Sequence, residues 1–389
     1  MVLSPLGYIL LPILNIQPSQ FGFVVSAYAF SAGASGLLAA GFADKFDRKK
    51  MLLFFYLGFI LGTVFCALAP TYNFLLAARI VTGLFGGVIG SISFAIITDI
   101  FKMQVRGRVM GFVQTAFGAS QVLGLPIGIV LAQKFGWHSP FWMISGISIV
   151  IWVAIFRYLK PVNDHLKIKS DRNAFEHLFK TISKPAYLRA FIATTLLATG
   201  GFMMMPFGSV FSTQNLKIAK ENLPILFGIT GLFSIIFGPI IGKFSDKIGK
   251  FKMFIIGSAI TVSMVAIYTN LGPTPLALVI LLNVILFVGI SSRMISSMAL
   301  LTSVPKPEDR GAFMSINSAV QQISGGIASS LAGIIVVQSK TGELQYYPQL
   351  GLVVIGFILI TLILMFNLNK HLSKNAEVSP SINPTAKGS

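Results

Sequence analysis

The residues able to do chemistry in this chain begin with a charged pattern that occurs twice. "AGFADKFDRKK" places Asp44, Lys45, Asp47, Arg48, Lys49 and Lys50 between two apolar runs, and "IGKFSDKIGKFK" does the same with Asp246, Lys247, Lys250 and Lys252. Asp99 closes a later apolar run. Arg48 set between the carboxylates of Asp44 and Asp99 would form charge-assisted hydrogen bonds, a contact that can be made and broken. "RGRVMG" from Arg106 and "RGAFMS" from Arg310 form a second duplicated pair, at nearly the same offset. Two cations, Arg79 and Arg293, fall inside apolar runs, where an ionisable residue reads first as functional. Arg79 lies near one end of its run and could instead snorkel outward. Arg293, in "ISSRMISS", suits a polar lining or a hydrogen bond to backbone carbonyls equally well.

Uncharged polar residues form the next set. Gln114 and Gln121 are two helical turns apart, and Asn317 and Gln321 are four residues apart, so each pair shares a helix face. With Tyr8, Tyr28, Phe117, Phe207 and Phe211 they describe a cavity that is aromatic, amide-rich and weakly charged. It suits neutral or amphipathic ligands better than anions. Hydrogen bonds between packed helices are the plainer use of the same amides. The twelve Asp and Glu and the four His lie in loops, at helix ends or in the tail. With no nucleophile–base set, no metal-ligand cluster and no phosphate loop, the expectation is a non-enzyme without cofactor.

Apolar helices must carry these groups. The chain has 389 residues, 54% hydrophobic and 11% charged, with a mean hydropathy of +0.80. A soluble domain carries about 25% charged residues, so lipid must be the solvent for much of this surface. Runs near 1–15, 20–42, 51–69, 74–100, 107–133, 140–158, 189–213, 223–242, 252–271, 275–300, 311–338 and 346–368 predict twelve membrane helices, an all-α membrane protein. Glycines 83, 86, 87 and 90 would let helices approach closely. Cys66, the single cysteine, lies in an apolar run and permits no disulfide. The first run lacks the basic start and cleavage site of a signal peptide.

Charge placement gives the orientation. Lys and Arg crowd the loops after the even-numbered runs and the tail, while the opposite loops hold only Lys134, Lys217, Lys220 and Lys340. That asymmetry predicts both termini in the cytoplasm and explains a net charge of +18 without nucleic acid. The longest loop, 159–188, contains "DRNAFEHLFKTIS", with Phe175, Leu178, Phe179 and Ile182 at helical spacing, so a short amphipathic helix is expected there. It divides the chain into six runs (1–158) plus six (189–368). The polar segment 369–389 reads as a disordered tail.

The duplicated motifs make the chain a parallel repeat of a six-helix unit, with a ligand site expected between the halves near the midplane. Gly242, Asp246, Lys247, Gly249, Lys250 and Lys252 match the G-x-x-x-D-[RK]-x-G-[RK]-x-[RK] loop of major facilitator superfamily transporters. The first copy departs from it where Ala40 and Asp47 replace the two glycines, and Asp47 thereby adds an anion and removes a flexible turn. "AARIVTGLFGGVIG" resembles the fourth-helix motif of that superfamily, and "GASQVLGLPIG" resembles its fifth-helix antiporter motif loosely. "SAYAFSAG" and "RGAFMSINSAVQQ" resemble the bacterial arabinose-efflux permease-like branch, beside the drug–proton antiporters. The resemblance implies a two-bundle fold and export of a sugar or drug-like solute by alternating access, coupled to protons. An uptake facilitator or symporter of the same fold and a non-transporting sensor are the alternatives. It also implies a monomer in the bacterial inner membrane whose partners are a small-molecule substrate, protons and lipid. The gate would use Asp44, Lys45, Arg48, Lys49, Asp99, Arg106, Asp246, Lys247, Lys250 and Arg310, with Arg79 in coupling. Asp44, Arg48 and Asp99 would be the stronger latch, because Ser303 stands at the place equivalent to Asp99. The first run, about 22 Å long, falls short of a ~30 Å hydrocarbon core, so helix 1 is expected to be truncated, with Met1 an internal start.

Overall fold

The computed structural model describes residues 3–42, 46–101, 109, 120, 123–163, 180–305 and 309–378. Helices dominate them. In the first half, a 3-10 turn Ser4–Leu6 leads into α1 (Gly7–Ile13), followed by α2 (Pro18–Phe42), α3 (Arg48–Ala67), α4 (Tyr72–Ile100), α5 (Leu123–Phe135) and α6 (Ser139–Tyr158). The second half holds α7 (Pro185–Gln214), α8 (Leu223–Ile248), α9 (Lys250–Tyr268), α10 (Leu276–Leu301), α11 (Arg310–Ile335) and α12 (Tyr347–Val378). A 3-10 turn at Met205–Phe207 interrupts α7. Strands β1 (Val337–Gln338) and β2 (Leu344–Gln345) pair antiparallel between α11 and α12.

Among the described residues, nine helices are long and apolar enough to cross a membrane. Ser4–Ile13 and Leu123–Phe135 are apolar but shorter. α11 is long, yet Ser315, Asn317, Ser318, Gln321, Gln322 and Ser324 make it more polar. Most of the run expected over 107–133 lies outside the described residues, as does most of the amphipathic segment. α12 reaches Val378, so the first part of the segment expected to be disordered continues the helix.

Local rules set the helix starts. Proline stands in the first turn of α6, α7 and α8, where its missing N–H costs nothing. The two charged loops start their following helices differently. Gly249 adopts φ +101°, a conformation that side chains resist. Asp47 has an ordinary φ of −58°, and its carboxylate accepts from Lys49 N at 2.8 Å and Lys50 N at 3.3 Å. The change from glycine to aspartate therefore replaces a left-handed turn by an N-cap.

Within the first half α4 packs on α2 and α3, and α3 on α6; within the second, α10 packs on α8 and α9, and α7 on α11 and α12. A side chain at Gly87 would run into the Ala32 carbonyl, which is why α2 and α4 can cross so closely. The broadest contact between the halves is α2 against α11. There a Cβ on Gly22 would lie 2.6 Å from the Ser329 carbonyl oxygen.

The bundle has two ends. One carries the α1–α2, α3–α4, α5–α6, α7–α8 and α9–α10 connections and the β-hairpin, and is called the hairpin face below. The other carries the lysine- and arginine-rich loops, and is called the basic face. Towards the hairpin face a single apolar core joins both halves, running from Leu6, Leu10 and Phe21 through Ile129 and Trp137 to Phe207, Val210 and Leu226. Towards the basic face the described core residues separate. One cluster, with Met51, Leu52 and Ile92, belongs to the first half; another, with Phe191, Phe254 and Phe313, is built of second-half residues, with Leu37 of α2 packed against it.

Candidate functional site

Where the shared core ends, a partly open cavity of about 340 Å³ lies between the halves. α2, α3, α4 and α6 form one wall, and α7 and α11 the other. Apolar side chains dominate it, among them Val25, Phe59, Phe141, Ile144 and Phe202. Its polar groups are few. Arg79 projects from α4, 8% exposed, with its guanidinium carbon 4.5 Å from the Tyr28 ring centroid. Arg79 Nε donates a long bond of 3.5 Å to Val24 O. Thr82, one turn on, donates to Ala78 O at 2.7 Å, and its Oγ1 lies 3.6 Å from Cys66 Sγ. Gln321, Gln322 and Ser329 of α11 stand on the opposite wall.

The cavity gathers Tyr28, Arg79 and Gln321 from the residues the sequence singled out. Others lie elsewhere, for packing reasons. Tyr8 accepts from Gln133 Nε2 at 2.9 Å near the hairpin face and is not part of the cavity wall. Phe207 meets Phe21 edge-on at 6.0 Å, and Phe211 stacks on Tyr347 at 3.9 Å, both inside the shared core. Asn317 accepts from Thr194 Oγ1 at 2.6 Å, a bond between α11 and α7. Arg293 is buried in the second half, 5.8 Å from the Phe254 ring centroid, with Nε and Nη2 unpartnered. Gln114, Phe117 and Gln121 lie outside the described residues. Cys66, Thr82 and Gln322 were missed. The one-turn interval from Arg79 to Thr82 and the adjacency of Gln322 to Gln321 were the available signals, and neither says which way a side chain points.

At the basic face Arg48 Nε pairs with Asp99 Oδ2 at 3.2 Å, joining α3 to α4. Lys49 Nζ donates to Phe156 O at 2.9 Å, at the carbonyl end of α6, where a cation is favourable. Asp246, Lys247 and Lys250 are exposed. Asp44, Lys45 and Arg106 lie outside the described residues, and of Arg310 only the backbone, at the start of α11, is described. Sequence reasoning overlooked Asp309, which is 3% exposed and accepts from Tyr187 Oη at 2.7 Å and Lys184 Nζ at 2.5 Å. The second half thus has a buried carboxylate network of its own, built from different positions.

At the hairpin face Gln133, the donor to Tyr8, also reaches the other half through a 2.7 Å bond from Nε2 to Lys220 O. The β-hairpin is tied to the end of α7 by Asn215, which exchanges two 3.0 Å bonds with the Leu344 backbone, and by the 2.7 Å Lys217–Glu343 pair.

The architecture and sequence have many counterparts. The solved structure of a bacterial homologue of the human lysosomal transporter Spinster, described as inward-facing and occupied, superposes with a TM-score of 0.75 at 13% identity, over 95% of this chain and 92% of that one. The nucleoside transporter NupG superposes with a TM-score of 0.70 at 15% identity, over 95% and 94%. In sequence, the MFS-type transporter YceJ of Bacillus subtilis is 26% identical over 97% of this chain and 93% of its own length. A probable sugar efflux transporter of Helicobacter pylori is 24% identical over 88% and 83%. Multidrug resistance protein 3 of Bacillus subtilis is 32% identical over 39% of this chain and 30% of its own. The family model for the Major Facilitator Superfamily matches residues 1–329 and 190–386, together nearly the whole chain. This multi-pass membrane protein, a transporter and not an enzyme, belongs to the Major Facilitator Superfamily.

Proposed function

We propose that the chain exports a small organic solute across the bacterial inner membrane by alternating access, in exchange for protons. The observation that carries this reading is the asymmetry of the core. One apolar cluster seals the halves together above the cavity at the hairpin face, while the buried residues of each described cluster at the basic face come from one half, with Leu37 of α2 alone among the first-half residues packed against the second-half cluster. A cavity between two bodies, closed on one side, is what a rocking motion would expose alternately. The lysine- and arginine-rich loops support a cytoplasmic basic face, so the cavity would take its solute from inside. Export is further supported by the sugar efflux transporter and the multidrug resistance protein among the relatives. Proton exchange rests on the motif resemblance.

The test is purified protein in liposomes with an imposed pH gradient and a panel of sugars and drug-like compounds. Movement of a compound against the proton gradient supports antiport. Co-accumulation with protons identifies a symporter, gradient-independent equilibration a facilitator, and no movement of any compound points to the sensor.

A further inference from the structure

A second pocket, of about 550 Å³, opens on the hairpin face, apart from the cavity between the halves. Its described lining comes from the second half alone: the end of α7, the α9–α10 loop, β2 and the start of α12. The frame is firm. Asn215 fixes β2 to α7 through its two bonds to Leu344. A Cβ on Gly351 would lie 2.4 Å from Thr269 Oγ1, so α12 is pressed against the end of α9. On this frame Tyr346 is an outlier. Its carbonyl accepts from Leu350 N at 3.0 Å, which puts it at the N-cap of α12, a place that favours Asn, Asp, Ser or Gly. Its φ is +63°, a region that bulky side chains rarely enter. Its ring is 53% exposed and lines the pocket. A tyrosine disfavoured on both counts points to a use for that ring. Next to it Tyr347 is buried and stacks on Phe211 at 3.9 Å, and its hydroxyl has no hydrogen-bond partner among the described residues. Such a group calls for a water or a ligand. The amides around the pocket have capacity to spare. Asn270 Nδ2 donates to Ala266 O at 2.8 Å, which leaves Oδ1 open, and the side chains of Gln345 and Gln349 bond to no described residue. No charged side chain is among the described lining.

We infer that this pocket binds a neutral saccharide, its C–H face on the Tyr346 ring and its hydroxyls on Asn270, Gln345 and Gln349. A sugar hydroxyl both donates and accepts, and so does an amide. The tyrosine supplies a flat apolar surface with a polar tip, which matches a ring that is apolar on its face and polar at its rim. An apolar ligand would cover the three amides without pairing them, which is unfavourable. The volume falls within the range of ligand pockets. Because the described lining moves with the second half as one body, the site does not depend on how the halves are set, and the inference stands apart from the transport reading.

The test titrates maltose, gluconate and glucosamine into the full chain in lipid nanodiscs, followed by saturation-transfer NMR. Nanodiscs avoid detergents that carry sugar headgroups. Maltose should bind saturably and more tightly than the anion or the cation. Gln349→Leu, at an exposed position, should weaken maltose by roughly 2- to 13-fold, the loss of one net hydrogen bond. Tyr346→Asn should weaken maltose while raising the melting temperature, because asparagine suits both the positive φ and the N-cap; a tyrosine kept only for packing would give no such exchange of binding for stability. Maltose binding that is unchanged in both variants overturns the inference, since the sugar then sits elsewhere, in the cavity between the halves included. Tighter binding of gluconate or glucosamine overturns it, as does the absence of saturable maltose binding to the wild-type chain. Each of these results leaves the transport reading to the liposome assay.

Discussion

Replacing Gln133 by alanine isolates one contact that holds the hairpin face shut. Gln133 Nε2 donates at 2.9 Å to Tyr8 Oη and at 2.7 Å to Lys220 O, and only the second bond crosses between the halves. A net hydrogen bond contributes about 0.5–1.5 kcal/mol. Losing the crossing bond therefore shifts the equilibrium towards an open hairpin face by roughly 2- to 13-fold. The shared apolar core is untouched, so the closed form stays dominant. Cys66 reports the change without an engineered thiol, because it is the single cysteine and lies on the cavity wall. Its alkylation by a membrane-impermeant reagent is measured in right-side-out and inside-out vesicles. From the hairpin side the rate should rise by that factor, while Lys134→Ala, at an exposed neighbouring position, should leave it unchanged. A hairpin-side rate equal to wild type, or an equal rise from both sides, would refute the reasoning, the latter because it reports general loosening.

Further outcomes concern the halves themselves. Gly87→Ala should lower the melting temperature in detergent, since overpacking against the Ala32 carbonyl costs about 1–3 kcal/mol; Gly90→Ala, with open space around it, should be neutral or gain up to ~1 kcal/mol of helix propensity. Gly249→Ala should cost about 1–3 kcal/mol from its positive φ, and Asp47→Ala about 0.5–2 kcal/mol from the lost cap, both read as melting temperatures. Arg293→Met should stabilise the protein by about 1–3 kcal/mol, read as a higher melting temperature, because it removes buried donors without partners; a lower value would show that the charge is used. Asp99→Asn should lower stability while leaving the ratio of Cys66 labelling from the two faces unchanged, because its pair with Arg48 lies inside one half.

Much of the fold was legible because membrane helices advertise themselves by length and apolarity. The pairing of Arg48 with Asp99 followed from two opposite charges closing adjacent runs. The direction each side chain takes was not legible in the same way. α2 and α9 are apolar nearly all round, so periodicity cannot say which face turns inward. Phe207 and Phe211 consequently read as cavity lining although they seal the core beside it. Gln133 sits at a helix end where an amide is unremarkable, and its partner is a backbone carbonyl, which no sequence pattern records. Asp309 escaped for a similar reason: its partners Lys184 and Tyr187 lie 125 and 122 residues away.

The placement of charge and of apolar contact divides the mechanical work. Each ion pair seen among the described residues joins elements of one half: Arg48 with Asp99 in the first, Lys184 with Asp309 and Lys217 with Glu343 in the second. Pairs of this kind stiffen a body, and they can persist while the bodies move. The contacts that must change in alternating access run between the halves, and they are mostly apolar or made by backbone: α2 on α11 through Gly22, Phe21 on Phe207, and Gln133 on the Lys220 carbonyl. Such contacts slide or separate without exposing an unpaired charge to the bilayer, which would cost several kcal/mol. A conformational change built on them leaves the ion pairs within each half intact while the cavity between the halves changes its opening.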